Sequence, residues 1–270
     1  MRIFRKIIKI LFNILMFLVL SAVAFVMLFP IYLTVTRSLG LPGGFTEQNY
    51  TELLFTEFEL PVLFPRYFIN TVLVTVFATV LQLWATVPAA YALAKIKFPG
   101  SRFLNRLIEV GLLFGASSFF VTQYIVLNKM RLINTHPAVI LPLLITSTSL
   151  GVFLIRQYAA QIPDNLIEAA QLDGVSHRKI CRDVIIPQIK PARVTLIVLA
   201  INTAWRAEVH NFVYSEELKT MASVFYRLDF NESMGITLAL SSVMLILPLL
   251  AFLFTQSSVT ETMTQAKIKE

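Results

Sequence analysis

Gln161-Ile-Pro-Asp-Asn-Leu-Ile-Glu-Ala-Ala-Gln-Leu-Asp-Gly174, followed by Val184-Ile-Ile-Pro187, is the stretch on which the reading of this chain turns. Pro163-Asp164 opens a helix with Asp164 as its N-cap. Gly174 stands where a residue in the left-handed conformation ends one. The helix between them has about ten residues, too few to be stable alone in water. Ser176 is placed to cap a second helix, which Pro187 and Pro191 terminate. Ala169 and Ala170 are small enough to let a partner approach closely, while Glu168 and Asp173 add polar contacts. A short helix of this kind needs something to pack against.

Outward from this polar stretch the chain is apolar on both sides. Ile10–Thr36, Tyr67–Ala94, Val110–Asn128, Leu132–Ile155 and Ser233–Thr260 contain no Asp, Glu, Lys or Arg. Each is about the length needed to cross a bilayer core, for which roughly 20 apolar residues suffice. A further run, Val194–Trp205, stops at Arg206, Glu208 and His210. At 1.5 Å per residue it covers about 18 Å of a core of about 30 Å, so its last turns must face protein or water. Sixteen of the 23 Lys and Arg fall before the first run, between the second and third, between the fourth and fifth, and after the last. With six crossings, those segments all lie on the cytoplasmic side and the positive-inside rule is obeyed. The expected architecture is therefore all-α and polytopic, a single domain over 1–270 with both termini cytoplasmic. Its helices lie at about 10–36, 67–94, 108–128, 134–156, 192–212 and 233–257, and its main cytoplasmic loop at about 157–191.

Composition excludes several classes. Of 270 residues, 56% are apolar and 14% charged, against roughly 45–50% and about 25% in soluble domains. A soluble enzyme and a disordered chain are both ruled out. The net charge of +7 would suggest nucleic acid in a soluble protein; here the loop bias accounts for it. The single cysteine, Cys181, allows neither an intrachain disulfide nor a thiol cluster. His136 and His177 lie in loops without metal-ligand spacing, so no metal site and no catalytic residue is expected. Ala22-Val-Ala24 has the form of a signal-peptide cleavage site, but the apolar run continues past Pro30, as in an uncleaved anchor. The dipeptide Gly-Lys is absent, so the chain carries no phosphate-binding loop of the Gly-x4-Gly-Lys-Ser/Thr type.

Glu168-Ala-Ala170, three residues, Gly174, nine residues and Val184-Ile-Ile-Pro187 resemble the EAA loop of the permease subunits of ABC importers, with Val184 and Ile186 as mild replacements. Tyr91-Ala-Leu-Ala-Lys-Ile-Lys-Phe-Pro-Gly100 is similar to that family's loop after its second helix. Leu132-Ile-Asn-Thr135, Ile140-Leu-Pro142, Phe153-Leu-Ile-Arg-Gln157 and the tail from Glu261 to Lys269 resemble its MalG-like, carbohydrate-uptake branch. The resemblance implies a type I importer permease fold. It implies that Glu168, Ala169, Ala170, Asp173, Gly174 and Pro187 form a coupling loop that docks on an ATPase subunit. It also implies partners: an ATPase dimer carrying ATP and Mg, a second permease, an external solute-binding protein, a carbohydrate and the bilayer. Nucleic acid is not among them.

This chain has Trp205-Arg-Ala-Glu208 where many such permeases have Trp followed by Asn and an acid. Read as a helix, Arg206 shares a face with His210, and Trp205 with Glu208. Trp205 could then stack on a sugar ring while Arg206, Glu208 or Asn211 bonds hydroxyls or an acidic substituent. The same residues could equally form an external helix end or meet the binding protein. Asn70 and Gln123 are weaker pathway candidates, since such residues more often bond neighbouring helices. Glu109 is expected to pair with Arg106. A self-contained secondary transporter is the alternative function, but it would want internal repeats and mid-membrane carboxylates. An intramembrane serine protease built on Gly115-Ala-Ser-Ser118 and His210 is a more remote one.

Overall fold

The computed structural model describes residues 2–40, 46–55, 61–113, 119–209, 211–225, 227–228 and 234–267. Among them every regular element is helical. In chain order these are α1 (Arg2–Ser38), α2 (Gln48–Phe55), α3 (Phe64–Lys95), α4 (Ser101–Gly111), α5 (Phe120–Lys129), α6 (Pro137–Ala160), α7 (Asp164–Leu172), α8 (His177–Ile180), a π turn (Cys181–Ile185), α9 (Ile186–Gln188), α10 (Lys190–Trp205), a 3-10 turn (Glu216–Leu218), α11 (Met221–Val224) and α12 (Met234–Lys267).

Three of these are long and apolar enough to cross a bilayer, at Lys9–Ser38, Phe64–Lys95 and Met234–Thr255. Two bent pairs raise the number to five among the described residues. The first pair lies within α6, bent by 46° between Pro137–Ile145 and Ser147–Ala160. The second joins His177–Gln188 to Lys190–Trp205 at 85°. The crossing expected at 108–128 is divided between α4 and α5, with 114–118 outside the described residues; so are Gly115 to Ser118 and His210 of the protease reading.

The chain separates into two compact units. The smaller comprises Met1–Phe58 and Leu228–Val243. Its hub is Ser38, fully buried at the end of α1. The Ser38 hydroxyl lies 2.8 Å from the Tyr50 hydroxyl of α2 and accepts a 3.2 Å bond from Ser242 of α12. Asn49 Nδ2 donates to the Ser38 carbonyl at 2.8 Å. The apolar side chains of α1 from Ile10 to Phe29 stay exposed, as suits a helix solvated by lipid.

The larger unit, Glu59–Arg227 with Met244–Glu270, is built on α3. With 32 residues α3 is about 48 Å long, so a core of about 30 Å leaves both its ends outside hydrocarbon. Its buried face carries Asn70, Thr71, Thr75, Thr79, Gln82 and Thr86 among apolar residues and packs on α6 and α10. Gln82 Nε2 donates to the Ser147 carbonyl of α6 at 3.2 Å. The close three-helix approach depends on Gly151 of α6. A Cβ there would lie 3.0 Å from both Leu196 Cδ1 of α10 and Thr86 Cγ2 of α3. Gly151→Leu is expected to destabilise the unit by about 1–3 kcal/mol through overpacking, outweighing its gain in helix propensity. Thermal melts of the purified protein would check this, and an unchanged melting temperature would show that these helices can part without cost.

Candidate functional site

At the Lys95 end of α3 an apolar cluster gathers Val87, Ala90 and Tyr91 of α3, Ile155 and Ala159 of α6, and Ile162, Ile167, Ile180, Cys181, Ile185 and Ile189 of the segment that follows. This cluster is what a nine-residue helix too short to stand alone packs upon. Ile167 is α7's buried anchor, and Ala170 turns partly toward the cluster. The opposite side is left open. Leu166, Glu168, Ala169, Gln171, Leu172 and Asp173 are exposed, and Leu172 is 90% exposed. Ala169 forms a notch between the two exposed leucines, Leu166 and Leu172.

α7 ends as its sequence demands. Gly174 takes φ +74°, Val175 N donates to the Ala170 carbonyl at 3.0 Å, and Gly174 N donates to the Gln171 carbonyl at 3.0 Å. These two bonds form a Schellman cap and consume carbonyls the helix would otherwise orphan. Its start differs from expectation. Pro163 occupies the N-cap position and Asp164 is the first helical residue, making no capping bond. The carboxylate is turned away by Lys95, whose Nζ donates to Asp164 Oδ1 at 2.7 Å. That bond and the Lys95 charge hold the Asp164 carboxyl below the usual carboxylate range. The same ammonium donates to the Ala160 carbonyl at 3.2 Å and the Ile162 carbonyl at 2.5 Å.

Downstream, Ser176 has the extended backbone of a cap but makes no side-chain cap bond. Pro187 lies exposed within α9, and Pro191 sits in the first turn of α10, opening that helix where the sequence suggested an end. Between α7 and the loop after α3 lies a cleft of about 910 Å³, lined by Lys95, Lys97, Phe98, Arg102, Asp164, Ile167, Glu168, Gln171 and His177 among others. The structure thus brings Glu168, Ala169, Ala170, Asp173 and Gly174 onto one short element, with Pro187 apart from it on α9. Glu109 pairs with Arg156 of α6 at 3.2 Å, and Arg106 is not its partner. A pair within one helix is less rewarding than one that ties α4 to α6, where Arg156 also donates to Asn105 at 2.5 Å.

At the other end of α3 the pathway candidates do not form one site. α10 ends at Trp205, and from Arg206 to Val209 exposed and buried residues alternate. The helix stops before Arg206, so the shared helical face expected of Trp205 with Glu208 does not exist; His210, the partner expected of Arg206, lies outside the described residues. Trp205 is 3% exposed; its ring meets Phe68 edge-on at 6.1 Å and its Nε1 donates to the Met244 carbonyl at 3.0 Å. It packs, and offers no open face to a sugar. Asn70 Nδ2 donates to the Glu217 and Lys219 carbonyls at 2.7 and 2.9 Å, so it braces a loop. Arg206, Glu208 and Asn211 remain exposed. Gln123, on α5, keeps a buried Nε2 without a partner among the described residues.

Two residues that sequence reasoning passed over organise this end. Glu216 accepts bonds from Lys219 (2.6 Å), from Arg227 and from the Tyr67 hydroxyl (3.1 Å). Asn134, at φ +63°, accepts from the Tyr214 and Ser215 backbone N–H groups at 3.0 and 2.8 Å and donates to Ser215 Oγ at 2.7 Å. Asparagine tolerates the left-handed region better than most residues, which was the available signal at Asn134. Leu172 was legible as well, since it is a leucine between two polar residues on a helix expected to be exposed.

A family model described as binding-protein-dependent transport system inner membrane component matches residues 86–260. The inner membrane ABC transporter permease protein YcjP of Escherichia coli is 23% identical over 74% of this chain and 71% of its own length. The arabinooligosaccharides transport system permease protein AraQ of Halalkalibacterium halodurans is 29% identical over 64% of this chain, which spans 58% of that protein. Among solved structures, a chain of a bacterial ABC transporter involved in the import of the acidic polysaccharide alginate superposes with a TM-score of 0.76 at 20% identity. That superposition covers 92% of this chain and 96% of the other, and the two share the fold.

Proposed function

The chain belongs to the family of binding-protein-dependent transport system inner membrane components, and from that premise we propose how it works within an ATP-driven importer. It is a multi-pass membrane subunit of the bacterial inner membrane without an ATPase site of its own. In our reading it crosses six times as one domain, termini in the cytoplasm, and forms half of a pathway completed by a second permease. An external binding protein delivers the solute, and an ATPase dimer loaded with ATP and Mg binds at the cytoplasmic face. The proposed substrate class is a sugar or oligosaccharide, which the name of the AraQ relative supports.

The observation that carries this reading is the exposed side of α7, where Leu166, Ala169 and Leu172 face outward from a helix anchored by Ile167. Seated in a groove of the ATPase subunit, with Glu168 and Asp173 at its rim, α7 receives the motion of nucleotide-driven dimer closure. The apolar cluster then passes that motion to α3, α6 and α10. Pro187 belongs to the relay on α9. On the external face, Arg206, Glu208 and Asn211 stand exposed beyond α10 as candidate contacts for binding protein or solute. Gln123, with an amide nitrogen left to donate, is a candidate for a solute hydroxyl. Trp205 and Asn70 we assign to holding that region in shape.

The test is affinity purification from the native membrane in mild detergent, with the copurifying subunits identified by mass spectrometry. An ATPase and a second permease are expected with the wild-type chain. Gly174→Pro cannot adopt φ +74° and loses the N–H that caps α7. It is expected to shed the ATPase while keeping the second permease. A wild-type chain that purifies alone and folded would overturn the importer reading.

A further inference from the structure

Tyr91 and Lys95 stand four residues apart on the last two turns of α3 and therefore share a face. Each reaches one end of the stretch that contains α7. Lys95 holds the entrance. Its ammonium places one bond on the Ala160 carbonyl at the end of α6, one on the Ile162 carbonyl in the linker, and one on the Asp164 carboxylate. All three of its donors are used, and the side chain is 6% exposed. Tyr91 holds the exit. Its hydroxyl lies 3.0 Å from Nδ1 of His177, the first residue of α8, three residues beyond Gly174. Between the two points Ile167 packs in the cluster that contains Tyr91.

The chain itself gives α3 no such link. α7 is joined covalently to α6 on one side and through α8 and α9 to α10 on the other, whereas α3 ends 69 residues before Asp164. The bonds at Lys95 are unequal in kind. Asp164 is 71% exposed, so that ion pair is screened by water and weak. The two carbonyls bind a buried cation near the C-terminus of α6, where the helix dipole also favours it. Removing the cation leaves them without their donor, while removing the carboxylate leaves the ammonium two of its three partners.

We propose that Tyr91 and Lys95 form a two-point yoke that makes α3 and α7 move as one body, so that displacement of the docked helix is delivered to α3 directly. They are positioning residues and touch neither nucleotide nor solute. The inference rests on the reading of α7 as the ATPase contact.

The experiment uses the complete complex in lipid nanodiscs, in a Cys181→Ala background, with spin labels at Trp84→Cys on α3 and Asn165→Cys on α7. Both positions are exposed. The inter-label distance is measured by pulsed electron resonance without nucleotide and after trapping with ATP and vanadate. The yoke predicts one narrow distance, the same in both states. In Lys95→Met combined with Tyr91→Phe the distance should broaden and differ between states. ATP hydrolysis stimulated by the binding protein should fall on the order of tenfold, the size of an ordinary coupling loss. Lys95→Arg should restore a narrow distance, and Asp164→Asn should behave as wild type. A distance that changes between states in the wild type, or a double variant indistinguishable from it, overturns the yoke while leaving docking intact. If no ATPase assembles with the wild-type chain, the docking reading fails and the yoke, with no motion to carry, fails with it.

Discussion

Leu172→Asp is expected to release the ATPase subunit from a permease that remains folded. Leu172 is 90% exposed, so the free subunit gains little from its side chain, and its melting temperature should hardly move. In a docked complex the same leucine is the most protruding apolar group on α7. Burying a leucine contributes roughly 1.5–3 kcal/mol, and a carboxylate forced into the same groove adds a desolvation cost. A central contact of that kind loses affinity by about a hundredfold or more. Titration of the detergent-purified permease with its ATPase, read by light scattering or interferometry, measures this directly. Leu166→Asp, at a residue 47% exposed, should give a smaller loss. Undiminished binding by Leu172→Asp would mean that α7 is not the contact.

Glu216→Ala should loosen the opposite end of the molecule and do so only while the carboxylate is charged. The Glu216 side chain is 16% exposed and gathers Lys219, Arg227 and the Tyr67 hydroxyl around it. Burial pushes its pKa up, but bonds from Lys219 and Tyr67 and the charges of Lys219 and Arg227 prevail and hold it below the usual glutamate value. A depressed carboxylate pKa stabilises the fold above the unfolded-state value, and that stabilisation is lost as pH falls through the folded one. Wild type should therefore exceed Glu216→Ala by about 2 kcal/mol near neutral pH, discounted for the partly exposed Arg227. The gap should close as pH falls below about 4. Melting curves of both proteins across that range decide it. A difference that does not shrink in acid would mean that Glu216 acts through packing alone.

The elements that could be read from the sequence are those whose causes lie within a few residues. The end of α7 is one, because only a residue free to adopt φ +74° closes that helix and Gly174 supplies it. The long apolar runs are others, since α1, α3 and α12 follow from composition alone. The misreadings have distant causes. Asp164 fails to cap because Lys95 claims its carboxylate, and Glu109 prefers Arg156 across an interface to Arg106 beside it. α10 stops at Trp205 with no glycine or proline to announce it. Its continuation is held by a tertiary bond instead: Thr220 Oγ1 donates to the Ala207 carbonyl at 2.7 Å. The polar–apolar alternation of Arg206-Ala-Glu-Val209 was the one local hint that the helix ends there. A helical reading of four residues cannot weigh a partner drawn from position 220.

The corner of 85° between the α8–α9 segment and α10 makes this region a bell crank. A push along the axis of the first arm arrives almost square to the second, so α10 receives nearly pure torque and almost no thrust along its length. With 16 residues α10 is about 24 Å long, and each ångström of travel at its foot swings it by about 2°. Small strokes at the surface thus become angular strokes in depth. The far end, at Trp205, buried and bonded to the Met244 carbonyl, is the pivot of that swing.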